Sequence, residues 1–160
     1  MDHISDILDD RTLMILRSIT GGSIALLEPK GRQFITRAIT PYRELTIEDA
    51  KFIGRLVCDI NSWHFARKRC IPKATARIKI DAKAGNAVID LGMYCQDWRI
   101  YTDTFDFWRF FDPVADQIRG ILKRSFPEYA SPNPDSMWRS GVIKELVDMA
   151  VTKEEQQEKR

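Results

Sequence analysis

Three segments in the middle of the chain alternate apolar and polar residues, and this pattern constrains the fold more than any other feature. An apolar side chain recurs at every second position in residues 75–81 and 87–94, and Gly85-Asn86 between them is typical of a turn. Residues 97–102 (DWRIYT) alternate in the same way. The pattern predicts a three-stranded antiparallel meander with one buried face.

Helical periodicity flanks this meander on both sides. Apolar residues recur at spacings of three and four along residues 47–68, where Thr46 is a suitable N-cap and Pro72 stops the helix. The same periodicity predicts two helices after the meander, at 113–126 and 136–151.

The N-terminal region has a less uniform pattern. Residues 4–19 predict either one helix or two short pieces, because Asp9 and Asp10 interrupt the apolar spacing, and Gly21-Gly22 is expected to end the helix. Residues 23–39 fit a strand or a helical turn, with a short helix favoured at their end. We therefore predict an α+β fold with N-terminal helices, one long helix, a three-stranded antiparallel meander and two C-terminal helices.

The chain length indicates one domain. A chain of 160 residues is close to the typical domain size, and no segment has the composition of a linker strong enough to divide it. We predict a single α+β domain over residues 1–152. Residues 153–160 (KEEQQEKR) have no apolar side chain and are expected to form a charged, frayed tail.

Cysteine usage and hydropathy suggest a reducing compartment. Cys58, Cys70 and Cys95 are an odd, widely spaced set, so we expect three reduced thiols that pack as small apolar groups. The acidic start MDHISDILDD does not have the pattern of a signal peptide, and no run of 18 apolar residues is present. We therefore expect a cytoplasmic protein that does not associate with membranes.

The sequence has no motif for catalysis, metal binding or a cofactor. It lacks the phosphate-binding glycine loop, the H-E-x-x-H pattern and paired C-x-x-C motifs. His64 lies on the predicted inner stripe of a helix, where a core role is more common than a catalytic one. The acids Asp103, Asp106, Asp112 and Asp116 are better explained as caps and loop residues than as magnesium ligands. These patterns favour a protein without enzymatic activity, cofactor or metal.

Positive charge is concentrated in one third of the chain. Residues 30–83 contain thirteen Lys and Arg side chains against five acids, although the net charge of the whole chain is only +2. Cations at the end of the long helix and on the outer face of the first strand would form a basic stripe for phosphates, beside an aromatic ring for stacking. The candidate nucleic-acid-binding residues are Trp63, Arg67, Lys68, Arg69, Lys73, Arg77 and Lys79.

The element order of residues 47–126, helix–strand–strand–strand–helix, is similar to that of a double-stranded RNA-binding domain. The similarity is limited to this order. Residues 112–117 contain Asp112 and Asp116 where that family has a basic cluster, so we do not assign the chain to the family. Our leading hypothesis is a binding domain for nucleic acid, with RNA as the first candidate, or for another acidic partner.

An aromatic segment supports an alternative hypothesis. Residues 98–111 contain more aromatic side chains than one regular element can point inward, so they form either a core or a partly exposed surface. If they are exposed, the protein is an interaction module, such as an inhibitor, immunity or adaptor protein, or a homodimer. The candidate interface residues are Trp98, Tyr101, Phe107, Trp108 and Arg109.

Overall fold

A computed structural model describes residues 2–29, 36–38 and 40–129 of the protein. Across these residues the chain forms a seven-stranded antiparallel sheet and three α-helices. The predicted fold of helices around a three-stranded meander is therefore wrong, because the described residues form a β-rich fold built on seven strands. The helices are α1 (Asp10–Arg17), α2 (Ile47–Val57) and α3 (Ala115–Ser125), and the strands are β1 (Ile19–Pro29), β2 (Thr36–Ala38), β3 (Arg43–Glu44), β4 (Ala76–Ala82), β5 (Gly85–Gly92), β6 (Asp97–Tyr101) and β7 (Asp106–Phe110).

The predicted hairpin lies at the centre of this larger sheet. The strand order is β2-β1-β4-β5-β6-β7, and β3 also pairs with β1. The register places Ile24 opposite Ile78, Ile78 opposite Ile89, and Ile89 opposite Ile100. These four side chains are fully buried and form one row across four strands. Because side chains alternate between faces, this register fixes which residues of each strand face the core.

The three helices contribute to the same hydrophobic core as this row of isoleucines. Leu16 of α1, Ile53 of α2 and Ile118 of α3 all belong to it, with exposures of 4% or less. The first two helices begin where side chains cap them: Asp9 accepts the backbone N–H of Thr12 at 2.8 Å, and Thr46 likewise caps α2. The opposite face of the sheet contains polar side chains.

The N-terminal prediction holds in part: residues 4–19 form the two short pieces that were one of its alternatives, and residues 23–29 belong to a strand, but the double glycine lies inside that strand and does not end a helix. A 3-10 turn (Ile4–Asp6) precedes α1, and β1 then runs through both glycines. A Cβ added to Gly22 would lie 2.8 Å from the carbonyl oxygen of Lys79, so glycine permits close pairing of β1 with β4. Part of the short helix expected near the end of 23–39 is instead β2.

The predicted long helix is also wrong, because α2 ends at Val57. The indole N–H of Trp63 donates to the carbonyl oxygen of Val57 at 2.9 Å, which satisfies an acceptor left open at the helix end. The chain then turns toward the sheet, where the backbone N–H of His64 donates to Phe110 O at 2.9 Å. The apolar spacing therefore continues past Val57 because these residues pack against the core, although they are not helical.

The C-terminal predictions have mixed outcomes. The aromatic segment forms β7, which was not predicted as a strand, and α3 lies within the predicted helix 113–126. The predicted helix 136–151 and the tail 153–160 lie outside the described residues. Within the part of the chain that the structure describes, no helix is long and apolar enough to cross a membrane.

The structure contradicts the expectation of three free thiols. Cys70 and Cys95 form a disulfide with their Cα atoms 5.9 Å apart, and Cys58 is free. The bond joins the connector before β4 to the turn between β5 and β6. The two cysteines are 25 residues apart in the chain, and no sequence motif with this spacing predicts a disulfide. The cysteine content therefore no longer supports a reducing compartment.

We expect this disulfide to stabilise the fold by about 3 to 4 kcal/mol, because a cross-link across a loop of this length restricts the unfolded chain. Cys70→Ser should lower the free energy of unfolding by about that amount in urea titrations without reductant. Cys58→Ser is the control and should change it little. Equal unfolding midpoints for the wild-type protein with and without a thiol reductant would contradict the prediction.

Candidate anion-binding site

The structure separates the residues of the predicted basic stripe. Trp63 is 5% exposed and packs in the core, so it presents no ring to a base. Lys68 forms an ion pair with Asp112, and its ammonium lies 4.6 Å from the centre of the Phe110 ring. These two members of the stripe are therefore already engaged within the protein.

The remaining cations of the stripe occupy three different environments. Arg77 makes two hydrogen bonds to Asp90, at 2.7 and 3.0 Å, across β4 and β5. Lys79 lies on the same face of the sheet, 3.9 Å from the centre of the Tyr42 ring. The connector before β4 carries three exposed cations that form no ion pair with another described residue: Arg67, Arg69 and Lys73. The seven predicted residues thus do not form one continuous stripe.

The aromatic candidates do not form an exposed surface. Trp98 is fully buried, while Tyr101 and Phe107 are half-buried and on opposite faces of the sheet. Trp108 is also half-buried and donates its indole N–H to Asp97 at 2.7 Å. The guanidinium of Arg109 lies over the ring of Phe107. The surplus of aromatic side chains is accommodated because β7 places some on each face.

A cleft of about 960 Å³ opens where α1, α2, the start of β1 and the turn between β4 and β5 meet. This volume falls in the range of small-molecule and cofactor sites. The lining residues are Leu16, Arg17, Ser18, Ile19, Thr20, Ile47, Lys51, Gly54, Arg55, Cys58 and Lys83.

The charges of the cleft all have one sign. Four cations line it, Arg17, Lys51, Arg55 and Lys83, and no Asp or Glu is among the lining residues. None of the four forms an ion pair with another described residue. A concave surface lined by one sign of charge concentrates field and attracts counter-ions of the opposite sign. The cleft is therefore suited to an anion.

Helical spacing explains part of this arrangement. Lys51, Arg55 and Cys58 are four and three residues apart, which places them on one face of α2. Arg17 lies in the last turn of α1, and Lys83 follows β4. The spacing on α2 was readable from the sequence, but the contributions of Arg17 and Lys83 depend on pairing between distant strands.

The other polar groups of the cleft are less suited to bind an anion. Ser18 donates its hydroxyl to Met14 O at 2.8 Å, and Thr20 donates to Asp81 O at 3.2 Å. Burial raises the pKa of the Cys58 thiol, and nearby Arg17 only partly opposes this shift. The thiol is therefore neutral at physiological pH, and the four cations dominate the chemistry of the cleft.

The four acids that could be read as magnesium ligands each form an ion pair instead. Asp103 pairs with Arg11 at 2.6 Å, and Asp106, Asp112 and Asp116 pair with Arg99, Lys68 and Arg119. Among the residues that the structure describes, no group of three or more His, Cys, Asp or Glu side chains is placed to hold a metal ion.

Sequence reasoning missed Asp97, a buried carboxyl group on the face of the sheet opposite the core. It is 4% exposed, and its Oδ1 has no hydrogen-bond partner among the described residues. Burial raises the pKa of Asp97 to about 6, against the hydrogen bond from Trp108 and the charge of Lys68, which both lower it. The alternation of apolar and polar residues around residue 98 indicates on which face of the sheet Asp97 lies, but it does not indicate that Asp97 is buried.

Comparison with known proteins adds no further assignment. No family model, curated protein or solved structure matches this chain. Function is therefore inferred from the geometry and charge of the described residues.

We expect Asp97 to make the fold less stable as pH rises. Its folded-state pKa of about 6 is above the ordinary value of 3.8, so ionisation favours the unfolded chain. The loss of folding free energy caused by ionising Asp97 is absent below about pH 4. It grows between the unfolded-state and folded-state pKa values and reaches up to about 3 kcal/mol above the folded-state pKa. Asp97→Asn should therefore be more stable than wild type at pH 7, with a difference that disappears near pH 4.

Urea titrations of wild type and Asp97→Asn across this pH range would measure that difference. Asp103→Asn is the control, because it removes an exposed carboxylate. A stability difference between wild type and Asp97→Asn that stays constant from pH 4 to pH 7 would contradict the prediction.

Proposed function

We propose that this protein binds nucleic acid by holding backbone phosphates in the basic cleft. The observation that carries the proposal is the convergence of Arg17, Lys51, Arg55 and Lys83 on one concave surface without a lining acid. Cations that are not already neutralised by neighbouring carboxylates retain their charge for a ligand. The proposed basic site therefore lies at the end of β4 that is opposite the connector of the predicted stripe.

The chemistry of the cleft favours phosphate contacts over base recognition. No Phe, Tyr, Trp or His is among its lining residues, so it offers no ring on which a base can stack. Cations that contact phosphates give affinity and orientation but carry no sequence information. We therefore expect binding that is largely independent of base sequence.

Salt dependence provides a quantitative expectation. Each phosphate neutralised contributes a slope of about −0.7 to −0.9 in the logarithm of affinity against the logarithm of salt concentration. If three or four cations contact phosphates, raising salt from about 50 to about 200 mM should weaken binding by roughly 20- to 150-fold. A ligand held by apolar contacts would show little change.

We expect the double variant Lys51→Glu/Arg55→Glu to bind labelled DNA and RNA at least about 100-fold more weakly than wild type, because it removes two phosphate contacts and adds repulsion. The slope of the logarithm of affinity against the logarithm of salt concentration should become shallower by the contribution of about two phosphate contacts. Fluorescence anisotropy at both salt concentrations measures these changes. Both substituted residues are exposed, so the fold should survive.

The matched control is Arg67→Glu/Arg69→Glu, which makes the same change of charge on exposed residues outside the cleft. It should reduce affinity by less than about 3-fold, consistent with the small effect of screened, distant charges. Equal losses in both double variants, or no binding by wild type at low salt, would refute the cleft as the nucleic-acid site. A free nucleotide that binds as tightly as an oligonucleotide would instead identify a small phosphate ligand.

A further inference from the structure

Two large apolar side chains are exposed beside the disulfide. Ile71 is 69% exposed and Tyr94 is 52% exposed, and each directly follows or precedes one of the bonded cysteines, Cys70 and Cys95. The other exposed large apolar side chains of the described residues, Met14 and Ile47, lie elsewhere in the chain. Two such residues beside one cross-link are more informative than a single exposed one.

The backbone next to Ile71 and Tyr94 is held by a disulfide and a hydrogen bond. The disulfide sets the Cα atoms of Cys70 and Cys95 5.9 Å apart. Cys95 is itself 3% exposed, and its carbonyl oxygen accepts a hydrogen bond from Lys68 Nζ at 3.2 Å. The connector and the turn are therefore joined, so the backbones of Ile71 and Tyr94 are held on either side of one cross-link.

Three exposed cations lie within four residues of Ile71 in the chain. Arg67, Arg69 and Lys73 are exposed and form no ion pair with another described residue. The sequence has no Asp or Glu between Asp59 and Asp81, so the connector offers these cations no acid of its own. The connector therefore combines an exposed apolar side chain with positive charge that no described acid neutralises.

We propose that this surface docks an acidic segment of a partner protein. The disulfide surface, defined as Arg67, Arg69, Ile71, Lys73 and Tyr94, would cover an apolar side chain of the segment with Ile71 and Tyr94. Its cations would pair with flanking carboxylates. Protein interfaces commonly combine an apolar centre with a charged rim, and Tyr and Arg are frequent among their dominant residues.

The exposed aliphatic side chain distinguishes this surface from the cleft. Ile71 has neither charge nor a ring, so a phosphate backbone has no favourable contact with it, whereas an apolar side chain of a peptide does. The two surfaces also lie at opposite ends of β4, since Lys73 precedes Ala76 and Lys83 follows Ala82. The docking surface therefore does not rest on the proposed nucleic-acid site.

The disulfide contributes to docking by fixing the surface before binding. A rigid surface loses less conformational freedom on association than a mobile one. Cys70→Ser should therefore weaken docking by roughly 3- to 10-fold without changing any side chain of the disulfide surface. The same change should not alter binding of oligonucleotides at the cleft.

The experiment uses the full chain in its oxidised form as bait for a library of random displayed peptides. We expect selected peptides to be enriched in Asp and Glu around at least one large apolar residue. A labelled selected peptide is then titrated by fluorescence anisotropy. Ile71→Asp should reduce its affinity by at least about 10-fold, since a central apolar contact is lost and like charge is added. Met14→Asp, which changes an exposed apolar residue elsewhere, should leave affinity unchanged.

Four results would overturn the proposal. The first is selection of peptides without enrichment in acidic residues. The second is equal peptide affinity for wild type and Ile71→Asp. The third is a concentration-dependent dimer of the wild type, seen by sedimentation and lost in Ile71→Asp, which would show that a second copy covers the surface. The fourth is displacement of the peptide by excess oligonucleotide at the disulfide surface, which would assign the surface to nucleic acid.

Discussion

The row of four isoleucines across β1, β4, β5 and β6 determines where the rest of the structure can lie. Burying this row requires a cover on one face of the sheet, and residues of α1, α2 and α3 join it in one core. A shift of one residue in the β4 register would turn Ile78 and Ile80 outward and bring Arg77 and Lys79 into the core. The cost of burying those charges makes such a shift unfavourable, so a single register is strongly preferred.

The two faces of the sheet therefore have different roles. On the face away from the core, Arg77 pairs with Asp90, and Arg99 pairs with Asp106 across neighbouring strands. These two cations are neutralised where they lie, and Lys79 on the same face lies against the Tyr42 ring, so the centre of the sheet has no cluster of unpaired cations among the described residues. The cations of the cleft and of the disulfide surface lie beyond the two ends of β4 instead. This separation explains why the basic third of the chain, taken as a whole, does not locate the cleft.

Sequence patterns correctly predicted those elements whose structure depends on residues close together in the chain. The alternation along β4 and β5 is local, and both strands lie close to their predicted positions. The role of Gly22 depends on its distant partner Lys79, so local sequence alone favours the end of a helix there. Periodicity also could not show that Trp63 is buried after the helix has ended. In the cleft, the spacing of Lys51 and Arg55 was visible, but their convergence with Arg17 and Lys83 depends on tertiary packing.

The pairing of β1 with β4 has a consequence for synthesis of the chain. Residues 19–29 leave the ribosome long before residues 76–82, which supply the longest run of partners for β1. Until then, β1 has only the short strands β2 and β3 to pair with. Sheets built from such distant pairings fold slowly, and unpaired edges are prone to association with other chains. The nascent protein therefore passes through a stage in which protection by a chaperone is advantageous, whatever the stability of the finished fold.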